Sequence, residues 1–438
     1  MMVQEAHKTT WLNNAPEHWE VLRIKNIFAE IDDRSETGTE ELLSVSHYTG
    51  VTKKRDSLEN ETDFISNAKT LVGYKKVAEN DLVSNIMLAW NGSLGISKYN
   101  GITSPAYCVY RIIGNNNPNY FGYLFSTAVL KAEFRKKSFG IIDSRLRLYS
   151  DKFFSIPVTV PPKTEQDQIV AYIKAQSKKI KNFIKKKQTF IELLKEQRQA
   201  VIENAVTNNN EKKNNNWRLK KLKFVSDLRF SNVDKHTLED EKIVRLCNYT
   251  DVYKNDYIVD SMDLMIASAS DSEIEKFQVL KGDIIITKDS ETPEDIAVPA
   301  YVKEDLDNVV CGYHLALIRA DESQILSEYL FRVFQSKTVN SHFQIRATGV
   351  TRVGLSLGDI SGVFIPFPKS KDEQAQIVSH IKTETAKIDQ AIGKAQKEIE
   401  LIKEYKEAMI AEAVLGKLNH KIKPTRANNA PVENIKQQ

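Results

Sequence analysis

The chain has little of what marks secreted, metal-bound or membrane proteins. Its 438 residues include three cysteines, Cys108, Cys247 and Cys311, an odd number with no CxxC spacing. They read as reduced cytosolic thiols filling small core positions, not as a disulfide frame or metal set. No apolar run approaches the roughly 18 residues that a membrane span needs. The first ten residues carry Gln4, Glu5, His7 and Lys8 and no apolar h-region, so no secretory signal is expected. A strong field of one sign is missing too: net charge is +4. The whole-surface basic footprint of nonspecific nucleic-acid binding is therefore absent, and any DNA binding must come from local loops or from partners that supply part of the charge.

Catalytic signatures are equally scarce. The nearest approach to a phosphate loop, Gly349 to Ser356, lacks the lysine that reaches a phosphate. Adenine-N6 methyltransferases carry an Asn-Pro-Pro-aromatic loop, and here Asn117-Pro118-Asn119 reads only as a turn. The eight histidines form no HExxH. Short Glu-x-Lys strings at Glu211-Lys212-Lys213 and Glu404-Tyr405-Lys406 fall in a polar stretch and on a helix, poor settings for a nuclease. The chain is expected to be non-catalytic, with neither metal nor cofactor of its own.

What the chain does have is a repeat. Glu165–Val206 aligns without a gap on Glu373–Val414, and 21 of the 42 pairs are identical. Both copies follow prolines and carry an acidic first turn, a helix start. Apolar residues recur at heptad spacing: Ile173, Ile180, Ile184, Ile191, Leu194 and Val201 in the first copy, Ile381, Ile388, Ile392, Ile399, Ile402 and Met409 in the second. Two such seams on long helices are expected to pack on each other. The first helix region is net +5 and the second −2, which favours the pairing modestly. The glutamate and glutamine that open each copy are read either as a cap or as a contact to a partner. The face bearing Lys178, Lys179, Lys181, Lys185, Lys186 and Lys187 is read as solvated, or as tracking phosphates or docking a partner.

The stretches before each helix echo one another. Each opens on a tryptophan (Trp19, Trp217), has an Asp-led apolar strand (Asp81, Asp283) and a buried strand at Tyr107–Tyr110 or Leu315–Ile318. Each has a helix near Tyr120–Ser138 or Glu328–Gln344, and an Asp (Asp151, Asp359) leading into the last strand. The expected architecture is α+β: two mixed α/β domains, 1–162 and 217–370, with long helices at 163–206 and 371–416. Residues 207–216 form a polar linker and 417–438 a polar tail.

Paired loops are the candidate nucleic-acid contacts. Lys136, Lys137, Ser138, Arg145 and Arg147 in the first half match Arg346, Thr348, Thr351 and Arg352 in the second. A second pair follows the Asp-led strands, with Asn91 and Ser93 against Thr287, Lys288 and Ser290. Lys and Arg neutralise phosphates, while small polar residues let amides and hydroxyls approach backbone or base edges.

Several strings resemble type I restriction-modification specificity subunits. The Pro-rich, Glu-Gln-x-x-Ile openings IPVTVPPKTEQDQIV (156–170) and IPFPKSKDEQAQIV (365–378) are similar to that family's helix starts. LLSVSHYTGV (42–51) and the segment 81–107 are similar to one kind of target-recognition domain. VRLCNYTDVY (244–253), 282–300 and VVCGYHLALIR (309–319) are similar to another. The resemblance implies two target-recognition domains separated by two long antiparallel helices, each domain reading half of a bipartite, asymmetric site in double-stranded DNA. It implies a cytoplasmic complex with two methyltransferase and two restriction subunits and no membrane. S-adenosylmethionine, ATP and Mg would sit on those partners. The competing readings are a pseudo-dimeric DNA-binding or scaffold protein outside any restriction complex, and a fused methyltransferase or nuclease.

Overall fold

A computed structural model of the chain describes residues 11–12, 15–46, 50–53, 70–142, 145–207 and 216–418. The start of the chain, most of the polar linker with its Glu211-Lys212-Lys213 string, and most of the polar tail lie outside the described residues. Two compact units are formed, Met1–Lys186 with Glu398–Gln438, and Lys187–Lys397. Each therefore takes one half of both long helices, Lys163–Val206 and Lys371–Val414.

The two units repeat one sheet. In the first, the strand order is Phe28–Ile31, Tyr107–Ile112, Leu82–Asn85, Leu94–Ile96, all antiparallel. In the second it is Ser226–Phe230, Leu315–Ala320, Ile284–Thr287, Pro299–Val302, with Tyr257–Ile258 added in parallel at the edge. Each also has a two-stranded ribbon leading to a long helix, Glu20–Arg23 with Pro157–Val160 and Trp217–Lys221 with Phe364–Pro368. Among the described residues, only the second unit has a three-stranded sheet, in which Cys247 and Cys311 stand opposite each other on neighbouring strands. All three cysteines are free, and burial pushes their thiols above the ordinary range.

The aspartates that lead the two central strands have a definite task. Asp81 accepts the amide of Ala78 at 2.8 Å and holds the Arg111 guanidinium through two bonds of 2.8 Å. Asp283 does the same with the Leu280 amide and Arg319. Both carboxylates are about 1% exposed, so each turn before the strand is locked by a buried, fully paired charge.

The expected single helix in each domain is two helices in both units: Pro118–Ser126 and Ala128–Lys137, then Ser327–Phe334 and Lys337–Arg346. A hydroxyl residue makes the break. Thr127 and Ser336 each accept an amide of the following helix, which is N-capping by side chains that sequence periodicity passes over. Asn117, read as part of a turn, is likewise the cap of the helix that follows it. Asp151 and Asp359 open five-residue helices, Ser150–Phe154 and Leu357–Ser361, and do not lead directly into the last strands.

The helix starts are tied to their domains by the Glu-Gln pair. The Gln166 side chain accepts the Asn117 amide at 2.7 Å and donates to the Asn116 side chain and the Pro161 carbonyl. Gln374 repeats the pattern with the Leu326 amide and the Gln324 and Pro368 carbonyls. Glu165 and Glu373 accept the indole N–H of Trp19 and Trp217. Both glutamines are buried, at 1% or less exposure. Because buried groups left unpaired cost about 1–3 kcal/mol each, Gln374→Ala is expected to destabilise the second unit by at least that much. Hydrogen exchange localised to 316–326 and 366–374 would check it.

In each unit the start of one long helix packs beside the end of the other, which is the antiparallel arrangement. Ile169, Ile173 and Ile180 share a core with Met409, Ala413 and Val414. Ile202 and Val206 share another with Val378 and Ile381. Of the seam positions, Ile173, Ile180, Ile191, Leu194, Ile381, Ile388, Ile399 and Met409 are buried, and Ile184, Ile392 and Ile402 half-buried. At the end of the first helix Ile202 is buried and Val201 only half so. An α-helix of 3.6 residues per turn drifts against a strict heptad, and the buried row moves on by one residue. Arg198 fastens this region, bonded to Asp389 on the second helix and to Asp256 of the domain.

Candidate nucleic-acid interface

The two loop segments singled out in each half meet in space, through the same backbone bond. In the first unit the Leu148 amide donates to the Ile86 carbonyl at 2.9 Å. In the second the Leu355 amide donates to the Lys288 carbonyl at 2.9 Å. Each bond joins the end of the Asp-led central strand to the segment after the second short helix. One surface is thereby built twice.

In both copies the segment after that helix is closed by a pair of backbone bonds. Phe139 and Arg147 exchange backbone bonds of 2.8 and 2.9 Å, and Thr348 and Gly354 bonds of 3.1 and 2.9 Å. The turns rest on Gly140 (φ +147°) and Gly349 (φ +150°). A Cβ at either would strike the carbonyl of Arg145 or Arg352 across the hairpin. Glycine is required twice, at the same place.

Lys136, Arg145, Arg346, Thr348, Thr351 and Arg352 are exposed on these hairpins and the helix ends that feed them, while Lys137, Ser138 and Arg147 are half-buried. The Ser138 hydroxyl is spent on the Phe134 carbonyl and Arg147 reaches the Leu146 carbonyl. Asn91 is exposed on the neighbouring loop, which packs on the basic helix: the Arg135 guanidinium lies 5.0 Å from the Trp90 ring centre.

Four expected contacts are turned inward. Ser93 is buried, and its backbone closes the loop with Asn85 and Leu88. Thr287 is fully buried, its hydroxyl accepting the Val298 amide at 3.0 Å. Ser290 is buried, accepting the Thr292 amide and meeting the Tyr249 hydroxyl at 3.3 Å. Lys288 is held by Asp289 at 2.8 Å, its ammonium also 5.6 Å from the Phe230 ring centre. Ser93, Thr287 and Ser290 are spent on shaping the loop, and Lys288 is half-buried beside its carboxylate partner.

A connection that the sequence reading passed over runs through His314. Its Nδ1 lies 3.0 Å from Asp289 Oδ2 and its Nε2 3.2 Å from Arg352 Nη1. A guanidinium can only donate, so the pattern requires a neutral imidazole with its proton on Nδ1. Asp289 thus orients His314, which orients Arg352. The only sequence signal was a histidine ending a loop before a buried strand.

Nearby, His342 accepts from Arg346 at 3.1 Å, and burial, then the Arg346 charge, hold its pKa below the ordinary 6.5. The unfolded chain then takes up a proton more readily than the folded one. The stability His342 contributes is full above pH 6.5 and is lost as pH falls through its lower folded value. His342→Leu should flatten the fall of melting temperature as pH drops below 6.5.

Among the described residues no group of three or more His, Cys, Asp and Glu could hold a metal ion, and no helix is long and apolar enough to cross a membrane.

With that geometry in place, comparison with known proteins is specific. The family model described as type I restriction modification DNA specificity domain matches residues 16–193 and 247–401. Among solved structures, the chain is similar to one from a study of complex assembly and conformational transition of the type I R-M system. The TM-score is 0.66 and the identity 13%, covering 91% of this chain and 98% of that one. It is also similar to the HsdS subunit from Thermoanaerobacter tengcongensis, with TM-score 0.53 and 15% identity over 92% of this chain and 98% of that one. No curated protein matches.

Proposed function

The chain belongs to the type I restriction-modification DNA specificity family, and on that premise we propose how it divides its work. It is a DNA sequence-specificity subunit, and each compact unit reads one half of a bipartite site. The observation that carries this is the duplicated surface, a glycine-pinned hairpin joined by one equivalent backbone bond to the central strand in both units. A shared frame with different side chains reads two different sequences. Lys136 and Arg145 stand where the second unit has Arg346, Thr348, Thr351 and Arg352, so the site is asymmetric.

Arginine suits this role because its fork can grip guanine or a phosphate with two bonds. Arg352, fixed by His314, is the residue best prepared for a directional contact. Exposed Lys136 and Arg145 neutralise phosphates and set register. Modest net charge is sufficient when partner subunits close around the duplex and share phosphate contacts.

The bond chemistry belongs to the partners. Two adenine-N6 methyltransferase subunits carrying S-adenosylmethionine dock on the helices and domain backs, and two restriction subunits bring ATP and Mg, all in the cytoplasm. The exposed lysines of the first long helix, Lys178, Lys179 and Lys181, lie on a face open to such docking.

Domain exchange tests the division of labour. Replacing 217–370 with the matching stretch of another family member should change one half-site and leave the other half-site intact. A variant that folds, assembles and changes both halves, or neither, would refute independent reading.

A further inference from the structure

Both hairpins carry a fully exposed aliphatic side chain beside the turn glycine. Ile141 is 100% exposed and Val350 104%. Each directly follows the glycine that fixes its turn, Gly140 or Gly349. Phe139 and Ile345, at 76% and 81% exposure, stand close by in sequence. A single exposed aliphatic residue is ordinary. These two occupy the same place in copies whose polar neighbours have diverged, on turns that a Cβ at the glycine would break.

The charge around them identifies what they meet. Residues 134–147 contain Arg135, Lys136, Lys137, Arg145 and Arg147 against a single acidic residue, Asp143, and 345–354 contain Arg346 and Arg352 and no acidic residue. An apolar apex collared by cations fits a polyanion that carries apolar points at a fixed depth. In duplex DNA the apolar point presented in the major groove is the 5-methyl group of thymine. An acidic protein surface would match the cations and leave the apex unmatched.

We propose that Ile141 and Val350 are specificity-determining contacts, each packing on the 5-methyl group of a thymine in the half-site that its own unit reads. This rests on the DNA-specificity reading above. Neither side chain needs a hydrogen bond, and each follows a glycine-pinned turn closed by paired backbone bonds. Covering one methyl-sized group contributes about fourfold in affinity.

The test uses the chain assembled with its methyltransferase partners and a duplex bearing its mapped site. Each thymine is replaced in turn by deoxyuridine, which removes only the methyl group. A half-site that offers an adenine for methylation always has a thymine opposite, so the scan has a position to find. For the wild type, one deoxyuridine in each half-site should weaken binding about fourfold. Val350→Ala should weaken binding of the thymine duplex to a similar degree and be indifferent to the deoxyuridine in one half. Ile141→Ala should behave the same way toward the other half. Both variants should fold and assemble as the wild type does, because the deleted atoms belong to fully exposed side chains. Variant and deoxyuridine effects that simply add, unchanged binding by both variants, or loss of assembly with the methyltransferase would each overturn the proposal. A wild-type complex that binds scrambled DNA as tightly as its site would instead overturn the specificity reading beneath it.

Discussion

Removing one turn from the middle of both long helices, Lys185–Gln188 and Gly393–Gln396, should shorten the unread spacer of the DNA site while both half-sites persist. Each helix begins in one compact unit and ends in the other, and on the proposed reading its length sets the spacer. Four residues are about 6 Å of helix, and base pairs rise about 3.4 Å, so the spacer should lose one to two base pairs. Four residues also turn the helix by little more than one full revolution, so Ile180 and Ile191 stay on the buried row. A two-residue deletion is the control: it rotates that row to the opposite face and should abolish activity. Methylation mapping of a host carrying each variant reads the spacer. An active four-residue variant with the original spacing would contradict the helical ruler.

Asp283→Ala should strongly destabilise the second unit. It strips the buried carboxylate from Arg319 and leaves the Leu280 amide without its acceptor. That carboxylate's hydrogen bond is also the main reason the Arg319 pKa is raised. Breaking a buried pair by removing one partner costs roughly 3–5 kcal/mol, and the lower end applies because Arg319 can turn partly to water. For a unit of this size about 3 kcal/mol corresponds to a fall of roughly 6–12 °C in melting temperature. The Ile284–Thr287 strand leads to Lys288, so DNA recognition by this unit should fail with it. Hydrogen exchange should show the loosening in 217–370 and not in the first unit. Asp81→Ala should reverse the pattern, because Asp81 and Arg111 repeat the pair there.

The long helices were legible because three independent signals agree in one stretch: the prolines before them, the heptad rows and the repeat itself. Val201 shows the limit, since a strict heptad count does not follow the drift that buries Ile202. The breaks at Thr127 and Ser336 were hidden, because a polar residue inside a helical pattern reads equally as an exposed position or a cap. Individual strands could be read from their apolar runs. Their order depends on pairings distant in sequence, such as Phe28 with Ile112, which no local pattern encodes.

The reading surface was legible as segments and not as side chains. Equivalent loops in the two halves led to the hairpins, yet Ser93, Thr287, Ser290 and Lys288 point inward. Residue type alone does not tell a hydroxyl that closes a loop from one that faces solvent. His314 escaped notice because its role exists only once folding sets Asp289 on one side and Arg352 on the other. Ile141 and Val350 escaped for the opposite reason, as apolar residues ordinarily expected inside.

The most direct measurement is single-molecule methylation mapping of a host that expresses a methyltransferase partner, with and without this chain. The account predicts a new bipartite N6-methyladenine motif, present only with the chain, with two unlike half-sites and a fixed unread spacer. A soluble, co-purified complex that adds no motif, or adds a single continuous one, would contradict it.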